Sequence, residues 1–366
     1  IYDYKCPEAI RKVALDQSKV MINKQRMSMD VKDAKAYGVD PADFDNIMFF
    51  WGIQCYSARE VIENSKKVVT PTNWMNERFN AFSENYALCD LAHIPTDDDP
   101  DFTAMTKVNL YTYKTPDYIL SSAQDFRKGK QGYQQQPWGA FMGGRARVFT
   151  NHMGTSEYAE RPNFLAGNAY LPRIAQHENV LLAVYRVPIW YIQYFETHAY
   201  FPRHEFDEVV EKDGWVFGRR HKAYIALKSM NPADWKPKDP NMFKAVYEAA
   251  WQEYYDKADD YIYHCNGHAN VWVTEMGSEA QSGSFEQFMA GFKGAGITGD
   301  TFTCAYQSPS LGEVGFGWNE DLTVNGTVIP LGDYDRYDNP FCKAAFDSRE
   351  RRIQVAGQDY VIDHNI

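Results

Sequence analysis

Two long apolar, β-rich runs, Val180 to Val187 and Ile189 to Phe195, lie within ten residues of each other inside the segment Arg161 to Arg203. Runs of this kind are carried on buried sheet and fix geometry around themselves. Polar knots flank them: Asn163, Asn168, Arg173, Gln176 and His177 on one side, His198 and His204 on the other. Imidazoles, amides and guanidiniums at the margins of buried sheet are placed to do chemistry or to grip a polar ligand.

The rest of the chain divides around a change of period. Residues 1 to about 95 read as helical. A first helix starts near Pro7 and runs through Ile10, Val13 and Ala14 to Val20 and Met21. A second follows Pro41, with Asp43 or Asp45 as cap, and carries Ile47, Phe50, Trp51 and Gln54. A third, Ala58 to Lys67, is predicted to stop before Pro71. The acidic stretch Thr96 to Asp101 contains Pro100 and serves as the boundary.

Beyond it the period becomes two, in segments such as Lys107–Tyr113, Asp117–Ala123, Arg145–Thr150, Trp215–Arg219, Ala223–Leu227, Val271–Glu275, Thr301–Tyr306 and Val314–Trp318. Hairpins turn at Asn325-Gly326 and Ala356-Gly357. Two helices interrupt the strands: Phe243 to Ala258 keeps helical spacing, and Ser284 with Gln287 makes a capping box before Phe288, Met289 and Phe292. The expected fold class is therefore α+β, with a helical segment over 1–100 and a large antiparallel sheet domain over 101–366.

The net charge of −11 argues against nucleic acid as a partner, because phosphate binding wants a basic surface. Aromatic residues make up 15% of the chain, which suits broad sheets and also sugar faces. The six cysteines are widely spaced and form no CxxC, so no zinc knuckle or redox motif is visible. Asn325-Gly326-Thr327 is also a glycosylation sequon, but Asn-Gly weighs more heavily as a turn. No apolar run reaches the roughly 18 residues of a membrane span, so no membrane span is expected. The chain opens at Ile1 with neither a basic n-region nor an apolar h-region, which reads as a processed or truncated product. The compartment leans to secreted or periplasmic.

No GxGxxG, Walker A, HExxH, GxSxG or EF-hand pattern occurs, so no cofactor is expected. His198 in Thr-His-Ala-Tyr-Phe-Pro-Arg-His reads as an imidazole at a strand end, beside the Tyr200 phenol and the Arg203 guanidinium. His177 precedes the run at Val180, with Glu178 next to it to orient the ring or cap the strand. Asn168 has a turn reading as well as a ligand reading. His152 ends another predicted strand. His264 and His268 have the spacing of a metal pair on a helix, but Asn266-Gly267 between them says turn, so no metal is assigned. The hydrophilic stretch Arg127 to Gln136 reads as a loop.

Five passages, KTPDYILSSAQDFRKGKQGYQQQPWGA, RPNFLAGNAYLPRIAQHENVLLAVY, THAYFPRHEFDEV, GWVFGRRHKAYIALKS and the closing VNGTVIPLGDYDRYDNPFCKAAFDSRERRIQVAGQDYVID, resemble bacterial proteins related to the heparinase II/III class. The likeness covers roughly residues 40–366. It implies an incomplete α/α toroid followed by an antiparallel β supersandwich. It also implies cleavage of uronate-containing chains by β-elimination: a cation or amide neutralises the carboxylate, a Tyr or His removes the C5 proton, and a Tyr protonates the leaving oxygen. Carried onto this chain, His198 serves in proton transfer with Tyr200 as donor, and His177 is the second choice for base. Arg203, Arg173, Asn168 and Arg161 hold the carboxylate or hydroxyls. The Asn-His-Tyr set usual on the toroid has no clear counterpart here, and about 95 helical residues are too few for a full toroid.

The expected partner is a polysaccharide or oligosaccharide, with a homo-oligomer or a remaining N-terminal chain as further partners. Two other classes stay open. One is a glycan-binding or assembly protein without catalysis. The other is a glycoside hydrolase using paired carboxylates from Glu196, Glu205 and Asp207.

Overall fold

The computed structural model describes residues 5–8, 11–12, 15, 19–26, 31–53, 59–72, 76–91, 107–130, 132, 134–155, 167–189, 194–237, 261–355 and 357–363. The connector Thr96–Asp101, the helix expected over Phe243–Ala258, Gln54, Arg161, Asn163 and Ala356 lie outside them. The chain forms two compact units, Ile1–Lys24 with Asn109–Ile366, and Gln25–Val108.

The smaller unit is helical. Asp43 accepts the backbone N–H of Asp45 and caps a 3-10 turn, after which the helix Ile47–Gly52 buries Ile47 and Phe50. The helix Arg59–Thr72 buries Val61, Ile62 and Val69, and Trp51 stacks on Phe79 at 5.8 Å between ring centroids. That helix runs on through Pro71 instead of stopping before it. Proline forfeits one i→i−4 bond, and at the penultimate residue little helix remains to be broken.

Among the described residues the larger unit holds three sheets. The widest has, from edge to edge, β12 (Asp234–Lys236), β13 (Ile262–Asn266), β8 (Glu196–Tyr200), β5 (Arg147–Asn151), β4 (Trp138–Phe141) and β3 (Ile119–Gln124). It continues through β2 (Lys107–Lys114), β1 (Val20–Arg26), β20 (Tyr337–Asn339), β21 (Cys342–Ala344), β22 (Glu350–Val355) and β23 (Gln358–Asp363). The second sheet is ordered β6 (Arg173–His177), β7 (Val180–Arg186), β14 (Ala269–Ser278), β11 (Ala223–Ser229), β10 (Trp215–Arg220) and β9 (Glu208–Lys212). The third is β15 (Ile297–Gly299), β16 (Cys304–Ser308), β17 (Gly312–Phe316), β18 (Thr323–Val324) and β19 (Thr327–Val328). The registered pairings are antiparallel.

Period two explains the layering. Along β7, Leu181, Ala183 and Tyr185 enter one core with Leu120, Val148 and Ala199 of the widest sheet. The alternate residues Val180, Leu182 and Val184 enter a second core with Tyr306, Val314 and Phe316 of the third sheet. The same split holds on β14, β11 and β10, so the six-stranded sheet is sandwiched on both faces. This is why residues 180–185 are apolar without alternation; each large apolar side chain among them is worth about 1.5–3 kcal/mol of burial. Gly218 lets Phe201 and Phe206 lie against β10, since a Cβ there would sit 2.7 Å from the Phe206 ring.

The expected capping box is present, with Ser284 N–H donating to Gln287 Oε1 at 2.8 Å, and the helix Phe285–Gly291 packs Phe285 and Phe288 into the second core. Asn325 and Gly326, at φ 49° and 78°, turn the β18–β19 hairpin as expected. The first expected helix is corrected in part. Helical bonds join Arg11 N–H to Pro7 O and Leu15 N–H to Arg11 O, but Val20–Arg26 is strand β1. Ile22 pairs opposite Asp338 there, and Lys24 N–H donates to Asp335 O at 2.7 Å. Pairing with residues more than 300 positions away outweighs the local helical pattern.

Candidate functional site

The expectation of a strand end at His198 is also corrected. The described residues on either side of 190–193, namely 187–189 and 194–195, are not strand. The polar run Glu196–Tyr200 is itself a strand, set between β13 and β5, with His198 at its centre. An interior strand satisfies its backbone groups on both edges whatever its side chains are. Ala199 enters the core shared with the six-stranded sheet, and Thr197 Oγ1 accepts Trp272 Nε1–H at 2.9 Å. Alternation then turns Glu196, His198 and Tyr200 to the opposite, outer face.

The register builds a row on that face. Asn151 and His264 stand directly opposite His198 on the two neighbouring strands, and Asp234 stands opposite His264. His264 Nε2 lies 2.8 Å from Asp234, its Nδ1 3.6 Å from Glu196, and Lys236 Nζ lies 3.1 Å from Glu196. The row passes from interior to solvent. His198 and Asn151 are fully buried, the His264 side chain is 16% exposed and the Asp234 side chain 82%. Tyr200, also buried, stacks on Phe149 at 5.0 Å. Imidazole, phenol, amide and carboxylate thus share one face of four adjacent strands.

The other expected residues go elsewhere. The Arg203 guanidinium sits 4.8 Å from the centroid of the Trp235 ring, and that ring packs against Phe201 and Tyr263 on the inner side of β12. Arg173 and His177 share the parity of Ala175, which faces the second core. His177 and His198 therefore lie on different sheets with a packed core and a sheet between them, and stacked sheets are about 10 Å apart. Arg173 clamps two sheets: it pairs with Asp125 at 2.8 Å and donates to the carbonyls of Gly317, Trp318 and Glu320 at 2.9, 3.2 and 2.7 Å.

Asn168, fully buried, accepts His152 N–H at 2.8 Å and donates to Gln135 O at 2.8 Å. Asn168→Ala is expected to cost about 2 kcal/mol, because the His152 N–H and the Gln135 carbonyl lose their partner. An unchanged denaturation midpoint would refute that role. His152 accepts Tyr170 N–H at Nδ1, so Nε2 carries the proton toward Tyr194 O at 2.9 Å, and burial pushes the imidazole down to about 4. His268 is exposed near the turn at Gly267, apart from the row that holds His264.

The sequence reading does not place Asn151, His264, Asp234 or Lys236 on the face that carries His198. The one local signal is His264 inside the alternating Ile-Tyr-His-Cys-Asn; its partners come from register, which short-range patterns do not carry. Among the described residues no group of three or more His, Cys, Asp or Glu side chains is arranged to hold a metal ion. No helix among them is long and apolar enough to cross a membrane. No family model matches the chain, and no curated protein matches it.

Proposed function

We propose that this chain is a carbohydrate-active, polysaccharide lyase-like protein acting on uronate-containing chains. His198 takes the C5 proton and Tyr200 returns a proton to the leaving oxygen. In this reading the helical unit corresponds to the end of an α/α toroid and the stacked sheets to the β supersandwich of heparinase II/III-like proteins. The supporting observation is the row on the outer face of β5, β8, β13 and β12. A proton acceptor and a proton donor stand two residues apart on one strand, with an amide opposite. Elimination needs that set, since carboxylate neutralisation acidifies the C5 proton and a positioned base removes it.

His198 has no exposed surface, so substrate approach requires the groups over it to part. The same burial favours a second reading, a glycan-binding protein without turnover. The hydrolase reading has less support. Glu196 is paired with Lys236, and Asp207 is held below the usual carboxylate range by the His221 backbone N–H and the neighbouring Arg220 and Arg219, so Asp207 is not poised as a protonated acid.

The test is incubation of the folded protein with a panel of polyuronates while the ultraviolet absorbance of unsaturated uronate is followed. Absorbance is expected to rise, and His198→Ala is expected to slow it at least about a hundredfold. Binding that survives His198→Ala, with no absorbance from any substrate, would support the second reading and sink the first.

A further inference from the structure

We propose that a cleft at the end of the six-stranded sheet, separate from the His198 row, binds an uncharged, hydroxyl-rich sugar unit. The cleft holds about 420 Å³, within the roughly 300–1,000 Å³ usual for small-ligand sites. Its walls are the β6–β7 turn at Glu178, the end of β14 at Glu275, Gln281, Tyr113 of β2, Lys19, and Phe288 from the helix Phe285–Gly291. Glu275 has the parity of Val271 and Val273, so it faces the second core, away from the sheet whose far side carries His198.

Polar capacity is left over in this cleft. Tyr113 is 3% exposed, and among the described residues its hydroxyl receives one contact, from the Gln281 amide nitrogen at 3.4 Å. Its own proton has no acceptor among the described residues. Burial raises the Tyr113 pKa, so the proton stays on. Glu178 holds the left-handed conformation at φ 46°, with its N–H donated to Tyr111 Oη at 3.0 Å and its carbonyl accepting from Gln176 at 3.0 Å. Its carboxylate has no hydrogen bond among the described residues. The turn therefore carries a strained glutamate where glycine would sit without cost.

Chemistry selects the ligand class. A phosphorylated or sulfated ligand would meet two carboxyl groups, with Lys19 the one cation among the described lining residues. A wholly apolar ligand would leave the polar groups of Tyr113, Gln281 and Glu178 without water or a new partner. Sugar hydroxyls both donate and accept, and the C–H face of a pyranose suits the edge of Phe288. At the floor, Glu275 accepts Tyr306 Oη–H at 2.6 Å, Ser308 Oγ–H at 2.8 Å and Ser310 N–H at 3.2 Å, and burial raises its pKa. A neutral ligand therefore meets no bare buried charge.

The proposal extends the carbohydrate reading to a second site, and its test keeps the two apart. Saturation-transfer and calorimetric titrations would use cellohexaose, laminarihexaose, mannohexaose and xylohexaose, with hexagalacturonate as the charged control. At least one neutral probe is expected to bind. Glu178→Gly and Tyr113→Phe are each expected to weaken that probe at least about tenfold while melting no lower than wild type; glycine suits the turn at Glu178. His198→Ala is expected to leave neutral-sugar binding unchanged. Absence of binding by all four neutral probes, or binding untouched by both cleft variants, overturns the proposal. Either result leaves the uronate-elimination test standing on its own.

Discussion

Replacing Arg173 with alanine is expected to lower the unfolding free energy by about 3–5 kcal/mol, the usual cost of removing one partner from a buried ion pair. Arg173 is 6% exposed and reaches four partners: the Asp125 carboxylate and the main-chain carbonyls of Gly317, Trp318 and Glu320. It also lies 4.8 Å from the centroid of the Phe316 ring. Alanine leaves Asp125 without its cation and the three carbonyls without their donor, at the seam between the six-stranded and five-stranded sheets. The Asp125 side chain is 36% exposed, so water relieves part of its loss and the lower half of that range is the better figure. Arg173→Lys keeps the charge but not the planar fork and is expected to recover less than half of the loss. Urea unfolding measures both; a shifted midpoint with an unchanged slope identifies a stability effect. Arg173→Lys, held where it is folded, is expected to bind and turn over uronates as wild type does. A lysine variant with wild-type stability but lost uronate binding would instead make Arg173 a ligand-holding residue.

Arg173 also shows where the sequence stops being informative. Its segment reads as a polar knot beside buried sheet, whereas Arg173–His177 is itself a strand, β6, at the edge of the six-stranded sheet. Its partners, however, are up to 147 positions away in a strand-to-strand connection that no local pattern announces. What is legible is local and repetitive. The apolar run 180–185 announces a strand covered on both faces, Ser284 and Gln287 announce a helix start, and Asn325-Gly326 announces a hairpin. The errors come from strands without an apolar period. Glu-Thr-His-Ala-Tyr reads as a polar knot at a sheet margin, yet all five residues are buried between two neighbouring strands. Val20–Arg26 misleads in the same way, because its strand character is supplied by distant pairing partners. Consequently His198 and Tyr200 are legible as a pair, while the residues completing their face emerge only with the register.

The second large effect is acid sensitivity arising from His152. The imidazole is fully buried, and both ring nitrogens are committed to the neutral form: Nδ1 accepts Tyr170 N–H at 3.3 Å and Nε2 lies 2.9 Å from Tyr194 O. A second proton would have to sit at Nδ1, pointing at another donor. Burial accordingly lowers the pKa from 6.5 to about 4. Between those values the unfolded chain binds a proton that the folded chain refuses, so the contribution is whole above pH 6.5 and is lost as pH falls toward about 4. The full loss corresponds to about 3 kcal/mol. Glu275 works in the opposite sense. Its pKa is raised by burial, so its contribution is whole below the ordinary carboxylate range and declines as pH rises through the folded value. The wild-type curve alone therefore mixes two slopes. Urea unfolding of wild type and His152→Gln across the window from 6.5 to about 4 separates them, because the Glu275 contribution is common to both proteins and cancels in their difference. The variant is expected to be less stable at neutral pH, where it lacks the imidazole contacts, and flatter across the window. Parallel curves would show that the acid loss resides in other groups.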